Sequence, residues 1–397
     1  DSSRDTDQTN RLAGNLSASY DAFDWLNLTA RLGGNIFNAY GKEWRDAFAY
    51  TTAYTRPSDI TSFVQDSESQ FIQYTVDFLA SMDFTIKEDF SLKAILGATN
   101  FYTKNRGGTT RGNNLSIPGL YDISNATGNL IGTSFENQRR TYGIFGDITL
   151  GYKNWLFLNF SGRQDYTSTL PTADNSYFYP AFGASAVLTD AIPELKSDVL
   201  NYLKITGSNS TVYNDLGAEQ IVETYGQIFS FPFGTLNSFA PPNGFIDAGI
   251  KKEKIETTEF GINLGLLKNR VTIDASYFKT ITTDNIVNTT TPNSAGGNGL
   301  LTNIGELEGD GFEVTLGATI LRSDDFSWDV NVNYFTNQTT VNEIGAGLTE
   351  ITLASTGEFG VFAVEGEQFP LIKASAYYRD PNGNIVVNPN TGNPIST

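Results

Sequence analysis

The sequence predicts an all-β chain forming part of a transmembrane antiparallel β-barrel, with short periplasmic turns and long extracellular loops. Three observations carry that reading. Apolar and polar residues alternate with period two in runs of about ten residues. Connections between the runs are short and long by turns, and aromatic residues gather at the short ones.

In chain order, runs lie near 11–20 and 25–35, joined by the short turn Asp21–Asp24. The run 71–82 follows, with Ile72, Tyr74, Val76, Phe78, Ala80 and Met82 on one face and Gln73, Thr75 and Asp77 on the other. The turn Thr85–Asp89 leads to 90–102, and Tyr152–Asn154 joins 139–151 to 154–165. The runs 178–189 and 200–209 are linked by Asp190–Val199, where Ala-Ile-Pro-Glu-Leu-Lys suits a single helical turn. Lys268–Asn269 separates 256–267 from 270–282. Arg322–Asp325 separates 312–320, where Phe312, Val314, Leu316, Ala318 and Ile320 alternate with Glu313, Thr315, Gly317 and Thr319, from 326–334. That makes roughly twelve strands, with a thirteenth starting near 373. Long polar loops are expected near 36–70, 103–138, 166–177, 210–255, 283–308 and 341–372.

Barrels inserted in a membrane have this asymmetry, because tight turns lie on one side and functional loops on the other. Tyr20, Phe23 and Trp25, Phe84 and Phe90, Tyr152 and Trp155, and Phe326 and Trp328 flank the short turns. Amphipathic rings suit a membrane–water boundary. The apolar face of each strand would then meet lipid and the polar face would line a lumen.

Composition narrows the classes further. No stretch has the 18 apolar residues that a spanning helix requires. A formal net charge of −18 disfavours nucleic acid as a partner. The chain contains no Cys and no His, so thiolate chemistry and the commonest general base are missing, and no acid–base motif replaces them. An enzyme is not expected, nor a cofactor. Asp380, Asn382 and Asn384 imitate the start of a calcium loop, but Ile385 stands where Gly is needed and Thr391 where the closing Glu belongs. A turn is the better reading, and no metal site is expected. Ser294–Gly299 is glycine-rich but lacks the Lys-Ser/Thr of a phosphate loop.

Loop aromatics are the candidate substrate-binding residues. They are Trp44, Tyr50 and Tyr54 in the first long loop, and Tyr213, Tyr225, Phe229, Phe231 and Phe233 in the 210–255 loop. Flat rings can stack on sugars or shelter apolar peptide side chains. The competing reading is that they pack the loops together or against a lid partner.

Several segments resemble the SusC/RagA family of TonB-dependent transporters from Bacteroidetes. Thr302-Asn303-Ile304-Gly305-Glu306, continuing through Gly311 to Val314, is similar to a family motif that opens a barrel strand. Lys254–Gly261 with Leu267–Val271 and Tyr277-Phe278-Lys279 resembles a family hairpin. Arg163–Ser168 followed by Tyr179-Pro180-Ala181 resembles a third stretch, with Tyr166 replacing a Gly. The resemblance spans roughly 140–397.

It implies residues 1–397 as a single barrel domain of a bacterial outer-membrane protein, part of a barrel of about 22 strands. An N-terminal plug and further C-terminal strands are expected outside these residues, so the domain would be incomplete at both ends. The implied partners are membrane lipid, the TonB complex acting through the plug, a SusD-like surface lipoprotein and a glycan or peptide substrate. The expected function is import of a large nutrient. The rival is a soluble or surface-attached β-rich adhesin or carbohydrate-binding protein, which would stay monodisperse without detergent.

Overall fold

The structure, a computed structural model, describes residues 4–47, 61–228, 236, 238–242, 244–297, 299–345, 347–356 and 359–396. Its main sheet begins with β1 (Arg4–Phe23), β2 (Leu26–Arg45), β3 (Phe63–Lys87) and β4 (Phe90–Asn113). It continues with β5 (Ile131–Tyr152), β6 (Leu156–Thr167), β7 (Ser176–Val187) and β8 (Leu200–Asn214). A long connection holds the short strands β9 (Gly226–Ile228), β10 (Ser238–Ala240) and β11 (Gly244–Ile246). The sheet resumes with β12 (Glu253–Leu266), β13 (Val271–Thr290), β14 (Gly299–Arg322) and β15 (Ser327–Glu343). Each long strand pairs antiparallel with the next, so the sheet is one meander; β11 joins it by running parallel to β14. Among the described residues β1 and β15 do not meet, and the sheet is open.

The twelve expected strands are all present, but they run further than the alternation that announced them. β3 has 25 residues and β4 has 24, against the 9–11 that a tilted strand needs to cross a bilayer. At about 3.3 Å per residue β3 is roughly 80 Å long. Much of what the sequence assigned to loops is therefore paired ribbon: β2 runs on to Arg45 and β3 already begins at Phe63, and the second loop shrinks to 114–130. Both faces of these extensions are wet, so no apolar period marks them, yet the backbone ladder continues. The thirteenth strand near 373 is also displaced. Leu371–Ala374 (β18) joins β16 (Glu350–Thr356) and β17 (Phe359–Val364) in a separate three-stranded sheet.

The register sorts side chains into two faces. On the outer face Leu16 stands opposite Leu32, Leu32 opposite Val76, and Leu316 opposite Val332. Leu16 is 70% exposed and Phe78 60%, and Tyr74, Val76, Val314, Leu316 and Val330 are not buried. Among the described residues no second protein layer covers them. The total accessible surface is 25919 Å², whereas a globular protein of 43.4 kDa exposes about 15,000 Å². Apolar side chains so disposed need lipid as their solvent.

The inner face is a polar ladder. Arg11 donates to Asn35 at 2.8 Å, Thr99 to Asp77 at 2.5 Å, Asn159 to Asp147 at 2.9 Å and Thr319 to Asp329 at 2.6 Å. Each bond joins neighbouring strands and satisfies a group that hydrocarbon could not. Two aromatic pairs interrupt the ladder: Phe37 on Phe71 at 5.1 Å and Phe278 on Phe335 at 6.2 Å. The outer end of the Phe145 ring reaches over Gly97, where a Cβ would collide with it.

The turn-side aromatics form a belt. Phe23 stacks on Trp25 at 5.4 Å and Trp25 on Phe84 at 5.0 Å; next along, Phe90 meets Tyr152 at 4.8 Å. The expected helical turn in Ala191–Lys196 is the 3-10 turn Pro193–Leu195, and a short helix, α1 (Leu188–Ala191), precedes it where the strand run was expected to end.

Buried apolar clusters lie on the loop side, where water bathes both faces and only packing can shelter them. Ile304, Leu307, Val341, Ile344, Ile351 and Ala363 form one, which seats the three-stranded sheet. It also explains the Asn303–Glu306 motif. The Asn303 side chain accepts from the Lys251 N–H at 2.7 Å and donates to the Asp284 carbonyl at 2.7 Å. Ile304 is buried, and a Cβ on Gly305 would collide with the Glu343 carbonyl oxygen.

Candidate functional site

A second cluster, Leu170, Tyr177, Leu216 and Ile250, closes the loop-side ends of β6 to β8. Above it the wall opens into a cleft of about 590 Å³. The strand ends bring Arg139 and Thr141 from β5, Asp165 from β6, Tyr177 and Tyr179 from β7, and Tyr213 from β8. Inward-facing positions of adjacent antiparallel strands lie side by side, so residues far apart in sequence meet here.

Asp215 organises one side. Its carboxylate accepts from Arg139 Nη2 at 2.7 Å, Thr167 Oγ1 at 2.6 Å, Thr169 Oγ1 at 2.8 Å and, more weakly, Tyr177 OH at 3.4 Å. Asp165 accepts from Arg163 Nε at 2.7 Å. Gly143 makes room for that pair, since a Cβ there would collide with Asp165 Oδ1. Glu253 accepts from Asn214 at 2.7 Å, Asn285 at 2.5 Å and the Ile286 N–H at 3.1 Å. The carboxylates are thus held, and the three tyrosine rings pack within 5.1 to 5.8 Å of one another.

Two polar atoms are left over among the described residues. Arg139 Nε and Thr141 Oγ1 are buried without a protein hydrogen-bond partner, and Thr141 as a residue is only 9% exposed. A buried donor without an acceptor costs about 1–3 kcal/mol. An acceptor brought into the cleft by a ligand would recover it. The loop beside the cleft is pinned by Asp247, whose carboxyl sits below the usual range because Thr302 and the Gly249 N–H donate to it.

The sequence candidates divide three ways. Tyr213 stands in the cleft, but as part of β8 and not of a loop. Trp44 also belongs to a strand, β2, and stacks on Tyr121 at 5.2 Å, away from the cleft. Tyr225 is 69% exposed in the long connection and joins no site among the described residues. Tyr50, Tyr54, Phe229, Phe231 and Phe233 lie outside the described residues. Sequence reasoning missed Arg139, Thr141, Tyr177, Tyr179 and Asp215. Arg163, Asp165 and Tyr179 were visible as a resembled stretch, but only the register shows that they converge. In the Asp380 turn, the carboxylate accepts from the Asn382 and Asn384 N–H groups, both at 2.9 Å, and from the Asn384 side chain at 3.1 Å. That is the expected turn, with Gly383 at φ +87°.

Residues 1–390 match the family described as TonB dependent receptor-like, beta-barrel. The SusC receptor of Bacteroides thetaiotaomicron is 25% identical over 226 residues, covering 54% of this chain and 22% of SusC. TonB-dependent receptor P26 of Formosa agariphila is 25% identical over 239 residues, covering 57% of this chain and 23% of that receptor. Of solved structures, the RagAB peptide transporter superposes with a TM-score of 0.83 at 17% identity, covering all of this chain and 44% of the matched one. The match thus covers less than half the length of each of these three proteins. A two-faced meander with short turns on one side and tall ribbons on the other belongs, with that match, to the TonB-dependent receptor β-barrel family of the outer membrane, in its SusC/RagA type.

Proposed function

We propose that the protein containing this chain imports a large nutrient across the outer membrane, an oligosaccharide in the first place and an oligopeptide in the second. The observation that carries the reading is the single-layered wall, apolar outside and hydrogen-bonded polar inside, with a ligand-sized cleft opening from its inner face. Substrate binds at the outer mouth, and movement of a plug driven through TonB lets it pass; a SusD-like lipoprotein covers the mouth. Held carboxylates, amide side chains and tyrosine rings suit the hydroxyls and flat faces of a sugar. The peptide alternative draws its support from the shared fold of RagAB, which is a peptide transporter. The chain's contribution is physical, and no catalytic step is assigned to it.

Growth on purified oligomers as sole carbon source tests this. Deleting the gene should abolish growth on one oligomer class while sparing its monomer. Full-length protein should restore growth, and Arg139→Ala with Thr141→Val should restore it poorly at limiting substrate. Unchanged growth of the deletion strain on every oligosaccharide and peptide would rule the proposal out.

A further inference from the structure

The outer wall of β4 and β5 carries a cationic patch that nutrient import does not use. Outward positions there pass from apolar to aromatic to charged. Tyr74 stacks on Tyr102 at 4.8 Å, and Tyr142 lies 6.3 Å from Tyr166. This tyrosine row marks the upper edge of the hydrocarbon, as interfacial aromatics do. Arg140 stands directly opposite Tyr102, with its guanidinium 5.4 Å from that ring. Lys104 and Arg106 follow at the next two outward positions of β4. Cross-strand and alternate-residue spacings place the three cationic side chains within roughly 10 Å of one another.

Their surroundings leave positive charge uncompensated. Lys104 is paired with Glu136 at 2.7 Å, and Arg106 donates Nε to the neutral Gln70 at 2.9 Å. Among the described residues Glu68 is the other carboxylate at this level of the wall. Three cations thus face two carboxylates in a chain whose net charge is −18. The β12–β14 wall differs at the same height: Lys279 is matched by Glu308 at 2.7 Å and Lys254 by Glu256 at 2.9 Å, with Asp310 beside them. A cation cluster just above an aromatic girdle meets the headgroup layer, where phosphate is the complementary group, and guanidinium binds it with paired donors.

We infer that Arg140, Lys104 and Arg106 form a docking site on the outer wall for an outer-leaflet lipid whose headgroup carries phosphate. The tyrosine row receives the glycosidic or ester region below it, and the acyl chains lie along the apolar face of β3 to β5. The site is independent of the lumen cleft and of the nature of the imported nutrient.

Native mass spectrometry of the full-length protein in detergent tests the inference, with diphosphoryl lipid A, phosphatidylcholine and inorganic phosphate as probes. Diphosphoryl lipid A should be retained at activation energies that strip phosphatidylcholine. Each cation contributes about fivefold in affinity, so Lys104→Gln, Arg106→Gln and Arg140→Gln together should weaken retention on the order of a hundredfold. Lys254→Gln with Lys279→Gln on the other wall should change nothing. Glu136→Gln, which frees Lys104 and leaves the ladder in place, should strengthen retention several-fold; this arm decides the matter even where the triple variant does not fold. Equal retention of both lipids, indifference to the triple variant or to Glu136→Gln, or displacement by millimolar inorganic phosphate would each overturn the inference.

Discussion

Replacing Asp215 by alanine removes the acceptor on which Arg139, Thr167 and Thr169 converge, and its cost can be worked from the cleft. The Asp215 side chain is 6% exposed and that of Arg139 36%. Breaking a fully buried pair by deleting one partner costs about 3–5 kcal/mol. Arg139 reaches water with part of its guanidinium, so that figure is reduced, whereas the two hydroxyl bonds add back about 1 kcal/mol each at most. A local destabilisation of about 2–3 kcal/mol results, borne by the β6–β7 connection and the start of the 215–252 connection. Amide hydrogen exchange on the full-length protein in micelles should show protection falling roughly 30- to 150-fold at Thr167, Thr169 and Leu216. The turn-side halves of β6 and β7 should be unaffected. Asp215→Asn keeps an acceptor and should lose roughly a tenth as much protection. Unaltered exchange in Asp215→Ala would show that the cleft is held by Leu170, Tyr177, Leu216 and Ile250 alone, and the role given to the carboxylate would be wrong.

Gly97→Val should force the Phe145 ring off the wall at a cost of about 1–3 kcal/mol, seen as a lower folded fraction by heat-modifiable electrophoresis, and Phe145→Ala should rescue it. Val314→Arg, on the lipid face, should cost about 2–4 kcal/mol in a bilayer refolding assay, whereas Thr315→Arg, facing the lumen, should cost little. The Asp380 turn should be sensitive to acid. Its carboxyl is held below the ordinary value by the Asn384 side chain and by N–H groups of the turn. A depressed folded value stabilises the turn above the unfolded carboxylate range, about pH 4, and the gain is lost as pH falls through the lower folded value. Exchange at Gly383 and Asn384 should therefore rise only at acid pH, and Asp380→Asn should remove that pH dependence.

What the sequence made legible follows from which solvent each residue meets. Where one face touches lipid and the other water, as in Ile72 to Met82 or Phe312 to Ile320, alternation is strong and marks the membrane-crossing part of β3 and β14, though not their loop-side ends. Above the bilayer the same strands continue with polar residues on both sides, as from Gln65 to Gln70, and periodicity carries nothing. Phe278 and Phe335 fell between the two cases. Each follows a lipid-facing tyrosine, Tyr277 or Tyr334, so the pair reads as one aromatic run although its members point to opposite faces. The cleft was hidden for another reason. Arg139, Asp165, Tyr179 and Asp215 come from four separate stretches, and only the strand register brings them together. Loop aromatics were a natural choice from composition, but Trp44 and Tyr213 turned out to stand on strands.

The tall ribbons of β2 to β5 have a consequence for anything that settles on the outer mouth. Their backbones are braced to each other bond by bond, so the rim they raise keeps its outline before a visitor arrives. A partner meeting a preformed rim forfeits little freedom in ordering it, and most of its contact energy remains available for holding on. The first contact is then made at a height well clear of the hydrocarbon.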